Sequence, residues 1–189
     1  MANVTFIIGG ARSGKSRFAE KLVEAHSGVL GYLATGTAGD AEMTGRIARH
    51  RERRGDRWQT LEEPLQVREV ILGHDGYFGA LLLDCVTLWI SNLLFREERY
   101  GDPREAVLGE VRKLAAEFSQ LATPLVIVSS EVGMGIVPEN GLARLFRDIA
   151  GEANEILAAA ADEVYVCFAG IPLRLKDAVY EPPRWLVEG

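Results

Sequence analysis

Cysteine and histidine are scarce in this chain of 189 residues, which has two of the former and three of the latter. Cys85 and Cys167 each sit in an apolar run, LLLDCVTLWI and EVYVCFAGI. With no C-x-x-C pair and no Cys/His cluster, the sequence excludes a zinc site of ordinary spacing and a disulfide framework. Two buried thiols in a reducing compartment are expected instead. Basic residues are in the minority: 21 Lys and Arg stand against 27 Asp and Glu, a formal charge of −6. That balance argues against a nucleic-acid or acidic-membrane partner. No apolar run approaches the ~20 residues of a membrane span. The opening MANVTFIIGG lacks the basic start and long apolar stretch of a signal peptide. A cytoplasmic protein with no nucleic-acid partner and no membrane span is expected. No repeat, low-complexity segment or linker breaks the chain, whose length suits one domain.

What the sequence has in quantity is short, nearly continuous Val/Ile/Leu-rich runs at wide spacing: Val4–Ile8, Val29–Ala34, Ala80–Leu83, Leu125–Val128 and Val164–Phe168. Runs of this kind suit strands buried on both faces of a parallel sheet. Between them lie helix-like stretches. Ser16–Glu24 gathers Phe18, Ala19, Leu22 and Val23 on one face, Pro103–Leu121 follows an Asp-Pro start, and Leu142–Ala161 carries Leu145, Phe146, Ile149, Ala153, Ile156 and Leu157. The alternation predicts an α/β fold with a mainly parallel, doubly wound sheet and right-handed crossovers. Residues 36–64, Gly- and Arg-rich with a helical centre, fall outside this rhythm. So does the tail from Asp177, where Pro182-Pro183 predicts an irregular surface segment. The expected division is one domain over 1–176 and a tail over 177–189.

Gly9-Gly10-Ala11-Arg12-Ser13-Gly14-Lys15-Ser16 matches G-x-x-x-x-G-K-[ST] between a strand and an amphipathic helix, the context a phosphate-binding loop requires. Glycines let backbone N–H groups turn inward around phosphate oxygens, and the helix start adds the positive end of its dipole. Lys15 is placed to reach the β- and γ-phosphates, and the Ser16 hydroxyl to ligate Mg²⁺. Asp84 follows an apolar run and should stand at a strand's carboxyl end near the phosphates. It could also cap the helix predicted over Val86–Phe95, and both roles could hold together. An N-K-x-D guanine-specificity motif is absent, so the loop leaves the base open.

The stretch from Glu42 to Arg54 reads as a helix with Met43, Ile47 and His50 on one face. His50 lies among Arg46, Arg49, Arg51, Arg53 and Arg54. Neighbouring cations disfavour imidazolium, and a neutral imidazole is a competent nucleophile. The arginines could hold a triphosphate and offset charge on its leaving group. The plainer alternative is an amphipathic helix with a solvated basic face. Of the other histidines, His26 ends the first helix and His74 sits in a Gly73-His74-Asp75-Gly76 turn; neither has a phosphate-binding neighbourhood.

Taken together, GGARSGKS (9–16), YLATG (32–36), EMTGRIARHRERR (42–54), Trp58-x-Thr60-x-Glu62, LLLDCVTLWISNLLF (81–95), SEVGMGIVPEN (130–140), the stretch from Leu142 to Tyr165 and GIPLRLK (170–176) resemble the bifunctional adenosylcobinamide kinase/adenosylcobinamide-phosphate guanylyltransferases of cobalamin biosynthesis. The resemblance implies a P-loop NTPase (RecA-like) fold, and assembly as a homotrimer. It implies two reactions. A nucleoside triphosphate, ATP or GTP, phosphorylates the aminopropanol hydroxyl of adenosylcobinamide. GTP then guanylylates His50 with release of pyrophosphate, and the GMP passes to adenosylcobinamide-phosphate. Lys15 and His50 would be catalytic. Nucleotide contacts would fall on Gly9, Gly10, Ala11, Arg12, Ser13, Gly14, Lys15 and Ser16, on Ala34, Thr35 and Gly36, on Arg51, Glu52, Arg53 and Arg54, and on Glu62 and Asp84. Ser16 and Asp84 would attend Mg²⁺. The chain runs on past GIPLRLK, where the family pattern ends. Glu131–Asn140, with glycines flanking Met134, is either a substrate loop or a glycine-rich connection. Two rival readings are a P-loop small-molecule kinase without guanylyl transfer and a non-catalytic nucleotide-binding regulator.

Overall fold

In the computed structural model, residues 3–36, 55–97 and 102–176 are described. Seven strands form one sheet. β1 (Val4–Gly9), β2 (Leu30–Ala34), β3 (Trp58–Glu62), β4 (Ala80–Asp84), β5 (Leu125–Ser130), β6 (Glu163–Phe168) and β7 (Ile171–Arg174) stand in the order β3-β2-β4-β5-β1-β6-β7. All neighbours are parallel except β6 and β7, which pair antiparallel. The helices are α1 (Lys15–Glu24), α2 (Val67–Gly73), α3 (Val86–Glu97), α4 (Pro103–Glu117) and α5 (Gly141–Ala160), with a 3₁₀ turn over Phe118–Gln120.

The apolar runs are continuous because both faces of the central strands are covered. Phe6, Leu81, Leu83, Leu125 and Ile127 pack towards α3, α4 and α5, with Trp89, Leu93, Leu108, Leu114, Ile149 and Leu157. Ile7, Ala80, Leu82, Val126 and Val128 face the other way, against Ala19 and Val23 of α1. The side-chain period of two divides each strand between two cores, so the sheet is doubly wound, as expected.

Local signals set the helix starts. Asp102 accepts from the Arg104 and Glu105 N–H groups ahead of Pro103, and Asn140 accepts from Ala143 N–H at 3.0 Å. Such caps supply partners for N–H groups that no helix turn can reach. The observed elements meet the expected ones to within a residue or two, except that the Pro103 helix tightens into the 3₁₀ turn at its end. Three elements are additional. β3 lies inside the stretch set apart as Gly- and Arg-rich, α2 is too short to show a period, and β7 has an exposed face. The helical centre expected before β3 and the tail from Asp177 lie outside the described residues.

One turn is unusually tight. Gly79 N–H donates to Val29 O at 2.8 Å, and a Cβ on Gly79 would stand 1.8 Å from the Ser27 carbonyl oxygen. The obstacle is backbone and cannot swing aside. Gly79→Ala is expected to destabilise the fold by about 2 kcal/mol or more, as over-packing does. Urea unfolding followed by circular dichroism would read this as a lower midpoint with an unchanged slope.

Candidate active site

In a parallel sheet the carboxyl ends share one edge. Register aligns Glu62 with Ala34, Ala34 with Asp84, Asp84 with Val128 and Val128 with Ile7; two residues further Ser130 meets Gly9 and Gly9 meets Cys167. The phosphate-loop start, Ala34, Glu62 and Asp84 are thereby brought to one edge.

The loop between β1 and α1 folds tightly over the end of its own strand. Ser13 N–H donates to Gly10 O at 3.2 Å, and Arg12 and Gly14 take left-handed φ values of 58° and 93°. A Cβ on Gly9 would lie 2.6 Å from Ser13 Oγ and 2.7 Å from Cys167 O, so only glycine lets strand and loop approach so closely. On the far side Gly170 N–H donates to Ser13 O at 2.9 Å, and a Cβ on Gly14 would come within 3.0 Å of Gly170 Cα. The turn between β6 and β7 thus clasps the loop.

Three features of this loop suit a polyphosphate. No side chain caps the start of α1, whose first N–H groups lack helical partners. The Ser13 hydroxyl is buried with no hydrogen-bond partner among the described residues. Lys15 Nζ donates to Gly10 O at 3.1 Å, which brings its ammonium back over the loop. Ser16 follows in the first turn of α1, which packs against β4 and β5. Among the described residues no cluster of three or more His, Cys, Asp or Glu could hold a metal ion alone. The Ser16 hydroxyl and the Asp84 carboxylate are oxygen donors of the kind that suit Mg²⁺, which is usually held by one or two protein groups together with substrate phosphates.

Beside the loop, the segment after β2 is tied to the end of β4. Thr35, 1% exposed, donates through Oγ1 to Cys85 O at 2.7 Å and accepts from Cys85 N–H at 3.0 Å. Asn92 Nδ2 bridges Thr35 O at 2.8 Å and Pro64 O at 3.1 Å. Gly36 follows Thr35, with room limited by Leu88. Tyr32 OH donates to Asp84 Oδ2 at 3.2 Å. The Asp84–Cys85 peptide is cis. Asp84 ends β4 two residues ahead of the helix start. α3 begins at Val86, and the carbonyl of Cys85, not Asp84, accepts from Trp89 N–H at 3.1 Å.

A further polar group at this edge escaped the sequence reading. Ser129 Oγ donates to Asn154 Oδ1 at 2.6 Å, Asn154 Nδ2 reaches Ser130 O at 3.4 Å, and Ser130 N–H donates to Thr87 Oγ1 at 2.7 Å. These bonds fix the end of β5, which lies between the phosphate-loop strand and the Asp84 strand. One signal was available: Asn154 is a polar residue on the apolar face of α5, between Ala150 and Leu157. His50 and Arg51, Glu52, Arg53 and Arg54 lie outside the described residues.

A glycine-rich loop leading into an uncapped helix, with Lys and Ser at its start and an aspartate two strands away, defines a P-loop nucleotide-binding α/β protein. The family model of CobU, cobinamide kinase / cobinamide phosphate guanyltransferase, matches residues 5–175, and the chain belongs to this family. It is similar to the bifunctional adenosylcobalamin biosynthesis proteins CobU of Escherichia coli, 44% identical, and CobU of Salmonella typhimurium, 43% identical. Each match covers 90% of this chain and 98% of the relative. CobP of Pseudomonas aeruginosa is 41% identical over 90% of this chain and 95% of its own. Among solved structures, the P4 protein of bacteriophage phi6 in complex with ADP aligns with a TM-score of 0.47 and 17% identity, over 90% of this chain and 52% of that one. A likeness of that degree leaves the fold to be judged on its own topology.

Burial pushes the Cys85 thiol up to about 12, with the Asp84 carboxylate adding to the rise and Lys15 opposing it; burial raises Cys167 as well. Neither thiol should react with Ellman's reagent in the folded protein at pH 8, and both should react in guanidinium chloride. Because the folded Cys85 holds its proton to higher pH than the unfolded one, this contribution to stability is intact below the ordinary thiol range. It is lost as pH rises towards about 12, which denaturant midpoints measured across alkaline pH would show. Lys15→Ala should lower phosphoryl and guanylyl transfer on the order of a hundredfold or more, as removal of a fixed charge stabiliser does; steady-state assays of both reactions would read it.

Proposed function

We propose that the chain phosphorylates the aminopropanol hydroxyl of adenosylcobinamide with a nucleoside triphosphate and then guanylylates the product. GTP loses pyrophosphate, and its GMP passes through an enzyme histidine to adenosylcobinamide-phosphate, giving adenosylcobinamide-GDP. The observation that carries this reading is the family match over residues 5–175 on a chain whose phosphate loop is fully formed.

In this reading the N–H groups at the start of α1, Lys15 and the Ser13 and Ser16 hydroxyls hold the phosphates, and Ala34, Thr35, Gly36, Glu62 and Asp84 complete the nucleotide site. Mg²⁺, attended by Ser16 and Asp84, would neutralise phosphate charge. Lys15 offsets charge on the leaving group as the P–O bond breaks. His50 attacks the α-phosphorus and forms a phosphoramidate, and Arg51, Arg53 and Arg54 clamp the departing pyrophosphate. ATP or GTP serves the first step and GTP the second. A trimeric assembly and a cytoplasmic location go with this reading through the family resemblance. Among the described residues no helix is long and apolar enough to cross a membrane.

Incubation with α-labelled GTP should leave acid-labile, mild-base-stable radioactivity on the protein. His50→Ala should abolish that adduct and the formation of adenosylcobinamide-GDP, with kinase turnover still measurable because the Lys15 cradle remains. Label retained on His50→Ala would sink the histidine assignment. A wild-type protein that phosphorylates adenosylcobinamide without ever forming an adduct would reduce the enzyme to a kinase.

A further inference from the structure

The two proposed reactions differ in what they ask of their acceptor. Guanylyl transfer ends on a phosphate monoester, whose attacking oxygen is already anionic. Phosphoryl transfer ends on a neutral alcohol, which must lose a proton as its oxygen bonds to phosphorus. A group that accepts that proton serves the first reaction of the sequence and not the second. The carboxylates of Asp84 and Glu62 belong to the nucleotide side of the site. Another carboxylate, Glu131, stands at the same edge with no role so far.

Its placement follows from the topology. β5 is inserted between β1, which carries the phosphate loop, and β4, which carries Asp84. Glu131 is the first residue beyond β5, and its N–H donates to Gly9 O at 3.0 Å, so its backbone is bonded to the residue that opens the phosphate loop. The buried Ser129–Asn154 and Ser130–Thr87 bonds hold the strand immediately before it. The Glu131 side chain is half-buried, and one carboxylate oxygen, Oε1, accepts from Gly133 N–H. A Cβ at position 133 would stand 2.9 Å from Oε1, so glycine there leaves this seat uncrowded. Oε2 makes no hydrogen bond or ion pair with any described residue. Beyond it, Met134, Ile136 and Val137 are exposed, Ile136 to 98%. Arg144, which bonds the Pro138 and Glu139 carbonyls, and the Asn140 cap hold the far end of this segment. The segment therefore starts from a backbone bond to the first residue of the phosphate loop, carries a half-buried carboxylate with one oxygen unbonded among the described residues, and exposes apolar side chains next to it, which suits a bulky acceptor with an apolar body and a single reacting hydroxyl.

We propose that Glu131 is the general base of the phosphoryl-transfer step. The acceptor oxygen forms its bond to the γ-phosphorus, the bond from that phosphorus to the β–γ bridging oxygen breaks, the nucleoside diphosphate leaves, and the hydroxyl proton passes to Glu131 Oε2. This rests on the reading above that the acceptor of the first reaction is an alcohol.

The test compares Glu131→Gln and Glu131→Asp with the wild type in two assays run separately: phosphorylation of adenosylcobinamide, and guanylylation of pre-made adenosylcobinamide-phosphate with GTP. Glu131→Gln should lower kcat for phosphorylation on the order of 10²–10³-fold, with KM for the nucleotide changed little and guanylylation kept within about threefold of wild type. Glu131→Asp should recover part of the kinase rate, because the basic group is restored one methylene short. Phosphorylation by Glu131→Gln within about threefold of wild type would overturn the proposal. So would an equal fall in both reactions, which would make Glu131 a structural residue of the shared site. A wild-type protein that guanylylates adenosylcobinamide-phosphate but phosphorylates no alcohol would overturn the kinase reading, and this inference with it. That result is distinguishable because it appears before any substitution is made.

Discussion

The site depends on the close packing at Gly9, where the last residue of β1, the Ser13 side chain of the returning loop and the Cys167 carbonyl of the neighbouring strand converge. A single methyl group there would meet two oxygens at 2.6 and 2.7 Å. The geometry downstream depends on that contact. It allows the left-handed turn through Arg12 and Gly14, which starts α1 at Lys15 with its first N–H groups turned towards the loop. Gly170, bonded to Ser13 and packed on Gly14, closes the loop from outside. The cradle is shaped by how near other strands can come as much as by its own residues.

The rest of the edge is organised by polar side chains that bond backbone. Thr35 exchanges hydrogen bonds with the backbone on both sides of Cys85, Asn92 bridges two loop carbonyls, and Asn154 reaches across from α5 to the end of β5. Buried polar groups of this kind cost most when one partner is removed. Their effect is to hold loop ends, ordinarily the mobile parts of an α/β domain, in fixed relation to the phosphate loop.

Legibility in the sequence followed burial. The strands that lie deep in the sheet announce themselves as unbroken apolar runs, and the long helices by their 3.6-residue stripe and their Asp102 and Asn140 caps. β3 and β7 are short edge strands: Trp58–Glu62 mixes apolar with polar residues, and Ile171–Arg174 has four residues, one of them a proline, so neither stands out from loops. The phosphate loop was legible because its chemistry demands fixed residue types at fixed spacing, and Asp84 because it ends an apolar run. The ties among Thr35, Asn92, Thr87, Ser129 and Asn154 were not, since each joins residues far apart in the chain and none has a required spacing.

The position of β5 has a consequence for how the protein is made. The strand that separates the phosphate loop from Asp84 is synthesised well after both of them. Until it emerges, β1 and β4 have no neighbour in common, and the Gly9 carbonyl has no Glu131 N–H to meet. The Gly170 clasp and the Cys167 carbonyl arrive later still. A nascent chain carrying the whole phosphate-loop motif therefore lacks the surroundings that shape it. On the ribosome, nucleotide binding is a property acquired only after β5 and the Gly170 turn have emerged, and the long-range pairing that completes the sheet is also the step that creates the site.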